Sequence, residues 1–386
     1  MRNYFRLWRI SGRAIIGLAC LLALAACTSP SINQNPTTLA SSRTPSATPT
    51  LKPTATAAAP PATGNDTIVY DDQMGDVLFL GDTFNIDNRP EQTWIWNGSA
   101  WTQLHPAHEP SNRSNIAIAY DPATKQVVLF GGLGVVGNTK MLSDTWTWDG
   151  TDWRQQHPVT SPPARDDAAL AYDGSTNQLL LFGGGSNGPR IGGLVPPPLN
   201  DTWIWTGSNW IQQHPATSPL PVLTPALAYD AAQHNLLLFG GLYANTTPMR
   251  KELNDTWQWT GSNWLQLHPQ SSPHLFDMIN GQQVLYGYPN MVYHPQTQQI
   301  FLLFGGDDDN NGTYQAGWLW DGTNWSQAKV NGPPTPADRG YLLYDASMQA
   351  VLEMTDFLPS TSLSFDTSLW KLEGQSWVKL DEWGQQ

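Results

Sequence analysis

Apolar and polar positions alternate over short runs from about residue 66 to residue 383, and the runs come in sets of four. The second set shows the unit most clearly: Asn115-IAIAYD, then Gln126-VVLFGG, then Asp144-TWTWDG, then Asp152-WRQQH. Each run is rich in β-branched, aromatic or aliphatic residues and is bounded by Gly, Pro, Asn or Asp, which predicts four short strands per set. A tryptophan frame marks the sets: Trp94, Trp96 and Trp101; Trp146, Trp148 and Trp153; Trp203, Trp205 and Trp210; Trp257, Trp259 and Trp264; Trp318, Trp320 and Trp325. A sixth copy holds Trp370 and Trp377, with Leu372 in the middle place. Successive copies begin 52, 57, 54, 61 and 52 residues apart, and a period near 50 residues is that of a repeat architecture.

The third and fourth strands of each set are joined by WNGSAW, WDGTDW, WTGSNW, WTGSNW, WDGTNW or LEGQSW, in which Gly supplies the positive φ of a tight hairpin. In the second set a loop at Asp149-Gly150 would bring Trp146 opposite Trp153, and a loop at Gly150-Thr151 would bring Trp148 there. Either register keeps the indoles on one face, where packing between repeats is expected; a carbohydrate-stacking ladder is the functional alternative. The first strands carry small residues, Ala117 and Ala119, Ala169 and Ala171, Ala226 and Ala228, which suit the crowded centre of a closed ring. The strands of a set are therefore expected to run in chain order from axis to rim.

A diglycine ends the second strand in Gly131-Gly132, Gly183-Gly184, Gly240-Gly241 and Gly305-Gly306, with Tyr before it and Trp after it. In this the chain resembles the Kelch family. The resemblance implies an all-β fold, a six-bladed Kelch-type β-propeller over residues 66–386 with four antiparallel strands per blade. Gly81-Asp82 and Met354-Thr355 replace the diglycine in the first and last units, which are expected to close the ring without exchanging a strand.

The ends of the chain change the picture. Residues 1–27 hold Arg2, Arg6, Arg9 and Arg13, no acid, and an apolar run from Ala14 to Ala26, as a secretory signal does. Leu24-Ala25-Ala26-Cys27 resembles the lipobox of bacterial lipoproteins, which implies cleavage before Cys27 and lipidation of its sulfur. Two or more acyl chains would hold the protein at the cell membrane or outer membrane, its domain on the extracytoplasmic side. Residues 28–65 are rich in Pro, Thr, Ser and Ala and nearly free of large apolar residues, so they are expected to be a disordered tether. Loss of residues 1–27 would remove four of the 19 basic residues and none of the 32 acidic ones. Nucleic acid is therefore a poor partner, and the membrane is expected to be met only through the lipid.

Variable connections fall on one face of such a ring: Leu133–Ser143, Gly185–Asn200, Leu242–Asn254, Asp307–Gly317 and the insertion Ser271–Asn290. Variable loops on a rigid scaffold are where binding concentrates, so this face is expected to carry the site, near the channel mouth. Arg113, Arg165 and Arg339 lie there, seven, seven and five residues before Tyr120, Tyr172 and Tyr344. They either ring the mouth and take a carboxylate or make salt bridges and carbonyl contacts between blades. Blade 4 has Val222-Leu223 at that place, which leaves any ring incomplete. Asp307, Asp309, Asn311 and Gly312 match the opening of an EF-hand loop, but Trp318 stands where its bidentate Glu would be, and a solvated acidic turn is the reading preferred. His105, His157, His214 and His268 recur before prolines on successive rims, too far apart for one metal ion, so no metal or other cofactor is expected.

These features point to a monomeric, surface-anchored binding module whose ligand is an extracellular protein or glycan. The alternative is a carbohydrate-active enzyme, because the arginines resemble those of six-bladed propellers with sialic-acid mutarotase or sialidase-like activity. Galactose oxidase shares the Kelch-like fold, but its copper site needs a cysteine that this domain lacks. No catalytic residue is assigned.

Overall fold

A computed structural model describes residues 59–60, 66–81, 91–134, 140–187, 197–243, 251–274, 276–279, 282–285, 288–308, 312–330, 339–357 and 366–383. They lie in one compact unit, Pro53–Gln386. The described residues form six four-stranded antiparallel sheets, one for each tryptophan unit. In blade 2 the strands are Ala117–Asp121, Gln126–Phe130, Thr145–Trp148 and Trp153–Gln156, paired in that order. The first strands of the six blades, Thr67–Asp71, Ala117–Asp121, Ala169–Asp173, Ala226–Asp230, Asn290–His294 and Arg339–Asp345, touch one another in a closed circle. The fold is a β-propeller, with the alanine-bearing strands at the axis as expected. Every four-stranded sheet is built from strands of its own unit, so among the described residues blade 1 packs on blade 6 with no exchanged strand.

The hairpin register is the second of the two expected. Trp148 lies opposite Trp153, and Trp96 with Trp101, Trp205 with Trp210, Trp259 with Trp264 and Trp320 with Trp325 repeat the pairing. Their ring centroids stand 5.2–5.5 Å apart in tilted pairs. The rings are buried, and the phenylalanine before the diglycine packs edge-on against the outer tryptophan of the next blade: Phe130 on Trp210, Phe182 on Trp264 and Phe239 on Trp325. Such a pair adds about 0.5–1.5 kcal/mol beyond the area it buries. The tryptophan frame is packing between blades.

Two polar links accompany this packing at four successive seams. The outer tryptophan donates its indole N–H to a threonine of the preceding blade, Trp153 to Thr93, Trp210 to Thr145, Trp264 to Thr202 and Trp325 to Thr256, at 2.9–3.1 Å. The last residue of each hairpin turn accepts a backbone N–H from the segment leaving the preceding blade: Asp152 from His108, Asn209 from Thr160, Asn263 from Thr217 and Asn324 from Gln270. Both links change at blade 6. Gly317 and Leu369 stand where threonine would receive Trp377 and Trp101, and Ser376 and Ala100 replace the turn Asp or Asn. The Trp377 indole nitrogen is buried and, among the described residues, has no hydrogen-bond partner. Apolar contact takes over between blades 6 and 1, where Phe79, Trp101, Leu352, Met354 and Leu369 form one cluster.

The diglycines let the next blade approach by backbone. Gly132 N–H donates to the Arg165 carbonyl at 2.9 Å, and Gly184 N–H to the Val222 carbonyl at 2.9 Å. A Cβ on Gly131 would lie 2.6 Å from the Arg165 oxygen, closer than any side chain permits, and its φ of +65° also favours glycine.

Candidate functional site

The inner strands all begin on the face that carries the variable connections, and a cavity of about 230 Å³ opens there, at the end of the central channel. Its wall is formed by the first residues of inner strands from all six blades. Small and apolar side chains, Ala117, Ala169, Ala226 and Leu342 among them, make the floor. Asn115, Asp167, Thr224, Tyr288, Asn290 and Tyr341 supply polar groups. The described lining includes no Arg, Lys, His or Cys.

Three of these residues form a staircase across blades 2, 3 and 4. Asp167 N–H donates to the Asn115 carbonyl at 3.0 Å, and Thr224 N–H to the Asp167 carbonyl at 2.8 Å. All three have positive φ, 57°, 52° and 48°. Asn and Asp tolerate that conformation, but for β-branched Thr224 it is strained. The Thr224 hydroxyl oxygen is buried and, among the described residues, has no hydrogen-bond partner. On the blade 5 side, Asn290 donates its amide N–H to the Gly340 carbonyl at 2.6 Å, which fixes the seam between blades 5 and 6 beside the cavity.

The arginines expected at this mouth are placed differently. Arg113 is buried, and its guanidinium donates to both Asp144 oxygens, at 2.6 and 2.9 Å, to the Gly131 carbonyl at 3.0 Å, and to the Ser111 carbonyl and hydroxyl. Arg165 repeats the arrangement with both oxygens of Asp201, at 2.7 and 2.8 Å, the Gly183 carbonyl and the Pro163 carbonyl. Each side chain thus ties the start of its own blade's third strand to the diglycine, a salt bridge and carbonyl contact within one blade. Neither residue lines the cavity. Burial opposes ionisation of Asp144, yet the Arg113 hydrogen bonds and charge, with the Trp146 N–H, hold its carboxyl below the usual range. Arg165 and Trp203 do the same for Asp201.

Arg339 differs. It opens its inner strand opposite Asp356 and directly precedes Gly340, a lining residue, so its backbone stands at the level of Asn115 and Asp167. The two-residue shorter offset to Tyr344 is the sequence trace of that difference. Asp307 lies on the strand Gln299–Asp308 opposite Thr313, in a β-hairpin and not between helices; Asp309 and Asn311 lie outside the described residues. So does Cys27. Among the described residues no three His, Cys, Asp or Glu side chains are grouped to hold a metal.

The cavity opens on the face where the sequence places the variable connections, but its lining residues are not among those the sequence singles out. Asn115, Asp167 and Thr224 hold equivalent places two residues before Ala117, Ala169 and Ala226, yet share no side-chain type. Alignment on the alanine strands was the one signal available for them.

At the opposite ends of the inner strands, tyrosines link neighbouring blades. Tyr344 accepts from Gln296 of blade 5 at 2.6 Å, and Tyr70 from the Ser347 N–H of blade 6 at 3.1 Å. Tyr120 packs near the blade 1 turn, where burial and then the charges of Asp71, Asp72 and Asp121 push its phenol up to about 12.

Comparison with known proteins supports the fold and leaves the activity open. No family model matches the chain. A curated relative, tRNA wybutosine-synthesizing protein 4 of Emericella nidulans, is 27% identical over 139 residues, which is 34% of this chain. The chain spans 12% of that relative's length. A solved structure titled "Structure of YjhT" superposes with a TM-score of 0.53 at 13% identity, covering 82% of this chain and 96% of that one.

Proposed function

We propose that the chain is a binding module, held at a membrane through an acylated Cys27, whose loop-rich propeller face takes an extracellular protein or glycan. The observation that carries this reading is the cavity at the channel mouth, lined by all six blades on the face where the connections vary. A rigid wall with polar groups converging on a small concave space is the usual form of a ligand site. Among the described residues the lining is made of small apolar side chains, hydroxyl and amide groups and one carboxylate, Asp167, a composition that suits holding a ligand by hydrogen bonds and apolar contact. An acidic-sugar enzyme would draw on the three arginines, and two of those are committed to Asp144 and Asp201.

The test is a glycan and purified-protein binding screen with the full-length chain in detergent, followed by incubation of each ligand retained. Saturable binding without chemical change of the ligand supports the module. Turnover of a retained sugar, or no saturable ligand at all, contradicts it.

A further inference from the structure

The inner strand of blade 5 ends differently from the other five. Those end in Asp71, Asp121, Asp173, Asp230 and Asp345, whose carboxylates accept N–H groups from the turn that follows. Blade 5 has His294 there, and its Nδ1 takes the Thr297 N–H at 3.3 Å. A ring nitrogen accepts only while it carries no proton, whereas the carboxylates accept throughout the neutral range. The same turn holds the neighbouring blade. Gln296 donates its side-chain amide to the Tyr344 hydroxyl at 2.6 Å and to the Gln349 carbonyl at 3.3 Å, and the His294 ring meets Tyr344 edge-on, centroids 6.2 Å apart. This is also a seam without a threonine to receive the outer tryptophan, Trp377.

We propose that His294 is an acid-sensitive latch between blades 5 and 6. Protonation sets Nδ1–H against the Thr297 N–H, two donors face to face, and the turn that presents Gln296 to Tyr344 loses its cap. The titratable groups around the imidazole are Tyr344 and Asp345 of blade 6 and Tyr293 beside it. Asp345 directs its carboxylate to its own turn, at Ser347 Oγ and the Met348 N–H, and Asp230 of blade 4 acts on Tyr293, on the other face of the strand. Burial holds the imidazole below the ordinary histidine range, against a smaller pull from its own backbone. The cap is therefore whole above the unfolded value of about 6.5 and is lost as pH falls through the lower folded one. At the far end of the same strand, Asn290 lines the cavity and bonds to the Gly340 carbonyl, so one wall of the cavity belongs to the seam that acid loosens. The latch is independent of what the cavity binds.

The test is hydrogen-exchange mass spectrometry of the full-length chain in detergent at about pH 8 and about pH 5, which bracket histidine titration, corrected for intrinsic exchange rates. Wild type is compared with His294→Asp, which installs the residue of the other five blades, and with His294→Asn, whose amide oxygen caps such a turn at every pH. In wild type, residues 290–298 and 339–345 should lose protection at the lower pH by about twofold to tenfold, as one lost hydrogen bond implies, while Ala169–Asp173 holds. Both variants should keep their protection across the range. H294N keeps the test decisive should H294D misfold. Equal protection of wild-type residues 290–298 at the two pH values overturns the proposal. So does an acid loss in either folded variant as large as in wild type, which would assign the titration to another group.

Discussion

The indole N–H of Trp153 in blade 2 reaches Thr93 Oγ1 in blade 1 at 3.1 Å, and the bond is buried. The same bond recurs at the next three seams. Replacing the threonine by valine keeps the shape and leaves a buried donor unpaired, at a cost of about 1–3 kcal/mol. Thr145→Val should therefore lower the urea midpoint with an unchanged slope. An unchanged midpoint would mean that the bond adds nothing to the seam.

Blade 6 lacks both repeated links at each of its seams, Gly317 and Leu369 standing in for threonine. Its strands are expected to open before those of blade 3. Hydrogen-exchange mass spectrometry should find faster exchange in Arg339–Asp345 than in Ala169–Asp173, two inner strands in equivalent places. Equal protection would show that the apolar cluster around Met354 compensates fully.

Arg165→Met should destabilise the domain by about 3–5 kcal/mol, because it strands Asp201 and the Gly183 carbonyl without their partner. The acid limb tests the same pair. Asp201 is held below the ordinary carboxylate range, so its stabilisation is complete above the unfolded-state value near 4 and is lost as pH falls through the lower folded one. Chemical denaturation at stepped pH should show a shallower acid loss in the variant than in wild type.

At alkaline pH the sign reverses. Tyr120 is raised to about 12, chiefly by burial, so the contribution of its neutral phenol is whole below about pH 10 and disappears as pH rises through about 12. Tyr120→Phe should lose less stability than wild type between those limits. Identical alkaline profiles would place the titrating groups elsewhere.

Cys27→Ser should release the protein from membranes into the soluble fraction, read by fractionation and metabolic labelling with a fatty acid. Membrane association that persists without label uptake in wild type would contradict lipidation.

Most of the fold was legible because repetition fixes it. Four alternating runs recur with the same tryptophans, the diglycine marks where one blade meets the next, and Ala117, Ala169 and Ala226 mark the axis. The hairpin register was open only between two equivalent choices, and Trp148 facing Trp153 decides it. The site was less legible for a physical reason. Arg113 and Arg165 have the chemistry of ligand contacts, but whether a guanidinium meets a ligand or a neighbouring Asp depends on the fold of the third strand 31 and 36 residues further on. Asn115, Asp167 and Thr224 are joined by backbone hydrogen bonds and a shared positive φ, which side-chain identity does not record.

The central claim is that ligand binds at the channel mouth and not on the conspicuous tryptophans. Hydrogen exchange of the full-length chain with and without the first ligand found tests it most directly. New protection should fall on residues 115–118, 167–170 and 224–227, which line the cavity. Protection confined to the outer hairpins, at Trp148–Trp153 and their equivalents, would contradict it.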